Sequence, residues 1–179
     1  MRPIKLITFD LDNTLWDVSD VIRRAELEVY QWLQDHCPQL TNKHTPQSLV
    51  EARLNYWRAH PEKHHQISQM RQSALASALI DCGYGADKAT ALSEEAFEVF
   101  MDIRHRVVFF DNALTVLEKL SLEYQLGTLS NGNACPKRLG IDHFFDFHYS
   151  AEDLNASKPA PDHFRAALAF ARCRPHECI

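Results

Sequence analysis

No apolar run in the sequence approaches the ~20 residues that a membrane-spanning helix needs. The apolar stretch near the start, ending at Phe9, is too short for a signal peptide, and no small-residue cleavage site follows it. A disulfide framework is lacking as well. Cys37, Cys82, Cys135, Cys173 and Cys178 are odd in number and widely spaced, in a chain long enough to build a core without them. Cys173 and Cys178 do not form the tight Cys-x-x-Cys pair usual in zinc sites. There is no excess of positive charge: 19 Lys and Arg stand against 24 Asp and Glu, a net −5 with His neutral. That balance argues against general attraction to nucleic acid or to an anionic membrane. No internal repeat or low-complexity tract is present. The expectation is a soluble, cytoplasmic protein with reduced thiols.

What remains is an ordinary globular mixture, 45% hydrophobic and 24% charged over 179 residues, enough for one domain or for one domain carrying a sizeable insertion. Lys5-Leu-Ile-Thr-Phe-Asp10 is short, β-branched and apolar, and runs into a cluster of Asp, Asn and Thr; it reads as a buried strand followed by a loop. From residue 20 to 106 helical periodicity takes over. Val21, Ala25, Val29, Trp32 and Leu33 line one helix face, and Pro38 closes that helix. Thr45-Pro46 opens a second helix, which lasts until His60-Pro61. A third runs through Ile67 to Leu79 and stops at Cys82-Gly-Tyr-Gly85, and a fourth covers Asp87 to Ile103. Four helices in a row predict an antiparallel bundle. Alternation then resumes with a helix over Asn112–Leu120, a strand over Tyr124–Leu129, a strand within Phe144–Tyr149 and a helix over Pro161–Arg172. Glu177-Cys178-Ile179 reads as the opening of a further strand. The fold class is therefore α/β: a parallel core from residues 1–19 and 107–179, with residues 20–106 as a helical insertion.

Three features carry chemistry. Asp10 and Asp12 end the first strand, the edge of an open α/β sheet where ligands bind, and residues two apart on an extended segment converge on one site. Close carboxylates repel, which raises one pKa or recruits a cation; a hard dication such as Mg²⁺ suits oxygen ligands and leaves room for a phosphate. Ser130-Asn-Gly132 follows the second core strand, a hydroxyl and a turn able to present backbone N–H groups to an anion. Ser157-Lys-Pro159 places a lysine before a later helix, with the proline restricting the backbone beyond it. Each has a plainer reading taken alone: turn capping, an ordinary β-turn, a solvated lysine. The other conspicuous residues favour plain readings. His60, His64 and His65 read as a solvated helix start, and Trp16, Trp32, Tyr56 and Trp57 as core rather than as stacking partners for a ligand.

In this order and at these strand ends the three motifs resemble the haloacid dehalogenase (HAD) superfamily, over essentially the whole chain, including members with an α-helical cap inserted after the first motif. Ser130-Asn-Gly-Asn-Ala134 and the four-helix insertion are similar to bacterial flavin-mononucleotide phosphatases and related small-phosphate phosphatases. The resemblance implies a Rossmann-like core and a Mg²⁺-dependent phosphatase acting on a small phosphorylated metabolite. Asp10 would be the nucleophile and a metal ligand. Asp12 would be the general acid and base, with its backbone carbonyl on the metal, and Thr14 would orient it. Ser130 and the Asn131 backbone N–H would bind the transferring phosphoryl oxygens, and Lys158 would offset the charge of Asp10 and the phosphate. This division of labour agrees with the physics of phosphoryl transfer, which is mostly positioning and electrostatic stabilisation.

One departure stands out. The family's fourth motif, an acidic pair on a Gly-Asp loop after the next strand, has no counterpart. After Lys158 the acids are Asp162, which begins a helix, and Glu177, which lies too early in the expected strand. The expectations are a truncated form of a longer enzyme or a weakened, even silent, phosphate-binding protein, with the first strand left with an unpaired flank. A phosphomutase shares the aspartyl-phosphate chemistry and stays open, as do the ester and the oligomeric state. A dehalogenase is disfavoured by Asp12, because expelling a halide needs no acid at that position.

Overall fold

The computed structural model describes residues 4–179. The chain divides into two units, one comprising the residues up to Val18 with Val107–Ile179, the other Ser19–Arg106.

The α/β unit is organised by three parallel strands, β1 (Leu6–Phe9), β2 (Gln125–Ser130) and β3 (Phe147–Ser150), in the order β1-β2-β3. The register sets Phe9 beside Thr128 and Ser130 beside Ser150, so the carboxyl ends of the strands finish close together. β2 is buried along its whole length after Gln125, as a strand covered on both faces must be. Its alternation divides the core in two. Leu126 packs with Leu117, Leu11, Leu15 and Trp16 on one side, whereas Leu129 packs with Leu6, Phe147 and Ala167 on the other. Leu117 comes from α6 (Ala113–Ser121) and Ala167 from α9 (Asp162–Ala171), which gives the helix–sheet–helix layering of a Rossmann-like fold. Two short helices lie between these elements, α7 (Pro136–Leu139) and α8 (Ala151–Leu154). Four residues are too few to leave a periodic signal, but α8 has a local cause, the reciprocal capping of Ser150 and Asp153 directly after β3.

The outer flank of β1 departs from expectation. Instead of standing unpaired, it is hydrogen-bonded by the last residues of the chain. Lys5 N donates to Glu177 O, Thr8 N to Ile179 O, and Ile179 N to Leu6 O, at 2.8, 2.8 and 3.0 Å. Glu177 ties this segment to the sheet. It is buried, accepts from Arg174 N and Nε, and lies 3.0 Å from Lys5 Nζ. These partners hold its carboxyl at a pKa of about 2, with the Arg174 hydrogen bonds the largest cause.

The second unit is helical: α1 (Val18–His36), α2 (Pro38–Thr41), α3 (Pro46–Ala59), α4 (Ile67–Asp81) and α5 (Ala86–Arg104). Pro38 ends the first helix as expected and also starts a further turn, since proline at a first helical position costs no hydrogen bond. The core joins Leu33, Leu40, Leu79, Leu92 and Ala96. The expected solvated histidines are different in fact. His60 Nδ1 meets Tyr56 O and His64 Nε2 meets Trp57 O, both at 2.8 Å, and each imidazole stacks on the corresponding ring. They cap the C-terminus of α3, where carbonyls lack intrahelical partners, and His65 beside them is half-buried. Among the described residues no helix is long and apolar enough to cross a membrane.

Candidate active site

The carboxyl ends of β1 and β2 set the site. Asp10 follows β1 directly, and its Oδ1 lies 3.0 Å from Lys158 Nζ. The Lys158 ammonium also donates to Leu129 O, the carbonyl just before Ser130. A side chain that sequence alone leaves as an ordinary surface lysine is thus fixed between the ends of two strands. Both charged groups keep partial access to solvent, 21% for the lysine side chain and 40% for the aspartate, so an incoming anion can reach them.

Asn131 explains how the lysine is held. Its Nδ2 donates to Lys158 O at 3.0 Å and its Oδ1 accepts from Lys158 N at 2.7 Å. The side chain therefore works on the backbone 27 residues away, a role that the motif reading, which used only its backbone N–H, missed. Ser130 is buried, with Oγ accepting from Gly132 N at 3.0 Å, which tightens the turn after β2. The Lys158–Pro159 peptide is cis.

The loop after β1 is equally constrained. Asn13 takes the left-handed conformation at φ 60°, one that Asn tolerates, and its Oδ1 accepts from Val18 N. Asn13 N donates to Trp16 O, and Leu15 N to Leu11 O. Trp16 is fully buried, as its reading as core anticipated, and packs edge-on to Phe109 with ring centroids 5.7 Å apart. Its Nε1 donates to Asp12 Oδ1 at 3.0 Å, so the indole orients the second aspartate from within the core. Thr14 stands exposed on the same turn, its N–H donating to Leu11 O.

His163, in the first turn of α9, went unremarked in the sequence. It is fully buried, and burial pushes its pKa down, partly offset by a hydrogen-bonding interaction with the Ser130 backbone. The imidazole thus lies against the backbone of Ser130. Its only sequence signal was a histidine amid the small apolar residues of an amphipathic helix.

Asp10, Ser130, Asn131 and Lys158 are brought together at one edge, with Asp12 held on the adjoining loop by Trp16. Among the described residues no group of three His, Cys, Asp or Glu side chains is placed to hold a metal ion. The oxygen set at Asp10 and Asp12 nevertheless suits Mg²⁺, a hard cation that takes one or two carboxylates and keeps several waters.

Comparison with known proteins bears on this arrangement. A family described as haloacid dehalogenase-like hydrolase matches residues 4–179. The 5-amino-6-(5-phospho-D-ribitylamino)uracil phosphatase YigB of Escherichia coli K12 is 32% identical over 165 residues, covering 92% of this chain and 69% of that protein. The N-acylneuraminate-9-phosphatase of Mus musculus is 27% identical over 182 residues, covering 98% and 73%. Among solved structures, a 2-haloacid dehalogenase from Pseudomonas syringae pv. Tomato DC3000 superposes with a TM-score of 0.91 at 40% identity, covering 98% of this chain and 76% of that one.

Proposed function

Because the chain belongs to the haloacid dehalogenase-like hydrolase family, we propose that it hydrolyses a small phosphorylated metabolite through an aspartyl phosphate formed on Asp10. That it is a phosphoric monoester hydrolase follows from the family together with its phosphatase-named relatives. The observation that carries the finer reading is the 3.0 Å contact between Asp10 and Lys158 at the strand ends, a carboxylate and a cation side by side and both open to solvent.

Asp10 attacks phosphorus with one carboxylate oxygen, forming the Asp–O–P bond as the ester oxygen leaves. Asp12, oriented by the Trp16 indole, gives that oxygen its proton and then takes one from the water that hydrolyses the acyl phosphate. Lys158 and the Ser130 turn hold the phosphoryl oxygens while charge on them redistributes. Asp10 and the Asp12 backbone carbonyl would hold a Mg²⁺ ion, which when bound neutralises phosphate charge and aligns the group for attack. The reading belongs to a cytoplasmic enzyme of small-molecule metabolism, and the phosphatases similar in sequence, YigB and N-acylneuraminate-9-phosphatase, point to sugar- or polyol-linked phosphates.

The likeness to a 2-haloacid dehalogenase favours a second reading, displacement of halide by the same Asp10. Asp12 weighs against it, since a halide leaves without a proton whereas an alkoxide does not. Assaying a panel of phosphate monoesters with Mg²⁺ beside 2-chloropropionate separates the two. Ester hydrolysis lost in Asp10→Asn supports the phosphatase. Chloride release without ester hydrolysis overturns it, and phosphate binding with neither activity favours a silent binding protein.

A further inference from the structure

The helical unit has a cavity of its own, of about 60 Å³, walled by α1, α3, α4 and α5. A single water needs about 10–15 Å³, so the hollow has room for about four to six heavy atoms, a few waters or a very small organic ion. Most of its wall is apolar, with Leu49, Leu75 and Phe97 prominent.

Two guanidinium groups enter this wall, Arg53 from α3 and Arg71 from α4. Both reach the same atom, Glu26 Oε1, at 2.9 and 2.8 Å. Glu26 is the only acidic side chain lining the cavity among the described residues, so two cations share one anion and the lining carries one excess positive charge. Two guanidinium groups offer about ten N–H donors between them, far more than one carboxylate can accept. Arg71 is the more enclosed. Its guanidinium carbon lies 3.6 Å from the centroid of the Phe100 ring. Burial pushes its pKa down to about 10, Glu26 pulls it back, and the Arg53 and Arg104 charges oppose it.

No residue of α3 is fully buried, although this helix supplies Arg53 and one wall of the cavity. The same two arginines also border a second hollow, of about 240 Å³, together with Leu54, Trp57, Ile67 and Met70. The pair therefore lines two largely apolar spaces with limited access to water, an ordinary place for a ligand with an anionic end and an apolar body. An inorganic anion would leave the apolar walls facing water, and a neutral hydrocarbon would leave the charge uncompensated.

We propose that the cavity between Arg53, Arg71 and the apolar faces of α1, α4 and α5 is a binding site for a small organic carboxylate, held by the two guanidinium groups with its apolar body toward Leu75 and Phe97. Guanidinium forks match carboxylate oxygens in geometry as well as charge. The site lies wholly within the helical unit and does not depend on the phosphatase reading.

The test titrates the 179-residue chain with propionate, its neutral isostere propionamide and inorganic phosphate, following heat of binding and melting temperature. Propionate should bind saturably and raise the melting temperature, with propionamide about tenfold weaker or more, the scale of a lost charge-assisted contact. Arg53→Gln, which leaves the Arg71–Glu26 pair in place, should cost propionate a similar factor, and Ala52→Leu, which fills the cavity, should abolish its binding. Lys158→Ala should weaken phosphate and leave propionate unchanged, which separates this site from the strand-end site. Equal binding of propionate and propionamide, full propionate affinity in Arg53→Gln or Ala52→Leu, loss of propionate in Lys158→Ala, or no binding at all would overturn the proposal. Melting of each unliganded variant identifies any loss that reflects unfolding, and Ala52→Leu, which adds volume to a cavity, keeps the test decisive if an arginine variant fails to fold.

Discussion

The Asn131 side chain clasps the Lys158 backbone at two points, donating to the carbonyl at 3.0 Å and accepting from the N–H at 2.7 Å. The lysine ammonium then spans from Leu129 O to Asp10. A residue of the second motif thereby fixes a residue of the third, and the cation's position is decided by backbone anchoring as much as by its attraction to the aspartate.

Asn131→Ala should release that anchor without emptying any core. The expected result is a loss of about 10²-fold in kcat/KM on a generic phosphate ester, the scale of an ångström-size misplacement, with melting nearly unchanged. Asn131→Asp keeps the acceptor and loses the donor, and should fall in between. Steady-state kinetics beside calorimetry checks both, and unaltered kcat/KM in Asn131→Ala would mean that Asp10 and Leu129 O hold Lys158 by themselves.

Asp10→Asn should lower turnover by on the order of 10³-fold or more while the fold survives, because the amide keeps the shape and loses the nucleophile. Asp12→Asn should reduce turnover more than it reduces Mg²⁺ affinity, since the proposed metal contact is its backbone carbonyl. EDTA should abolish ester hydrolysis and added Mg²⁺ restore it. Metal titrations run beside kinetics on the same preparations decide the matter.

Gly127 sits opposite Phe147 in the β2–β3 pairing, and a Cβ there would come within 2.1 Å of the Phe147 ring. Gly127→Ala should therefore cost about 1–3 kcal/mol, as overpacking in a buried core does. Urea unfolding reads the change. A loss well below that range would show that the Phe147 ring swings aside.

Glu177 carries the pH dependence of the pairing on the outer flank of β1. Its carboxyl is held at about 2 against an ordinary 4.5, so between those values the unfolded chain binds more protons than the folded one. The stability it contributes is full above about pH 4.5 and is lost as pH falls through about 2. Glu177→Gln should melt lower than the parent at pH 7, with the gap narrowing below pH 4.5. A gap that does not change with pH would make the contribution one of packing.

Much of this molecule was legible before any coordinates. Leu6–Phe9 and Gln125–Ser130 announce themselves as strands because a strand covered on both faces must be apolar over a short run, and α1 and α5 because the apolar period of a long helix is hard to mistake. Asp10 and Ser130 were legible as candidates for a related reason: residues at strand ends are placed by the strands, and the strands are local, whereas Lys158 lies in a loop before α9 and was legible only through its motif. Tertiary structure alone decided the rest. Trp16 as the partner of Asp12, Asn131 as the clasp on Lys158, Glu177 as the tie that pairs the outer flank of β1, and Glu26 shared by Arg53 and Arg71 are all side-chain meetings across loops or between helices. Hydrophobic periodicity reports which face of an element is buried, not which polar atom it meets there. A hydrogen bond depends on distances of a few tenths of an ångström that only the packed chain sets.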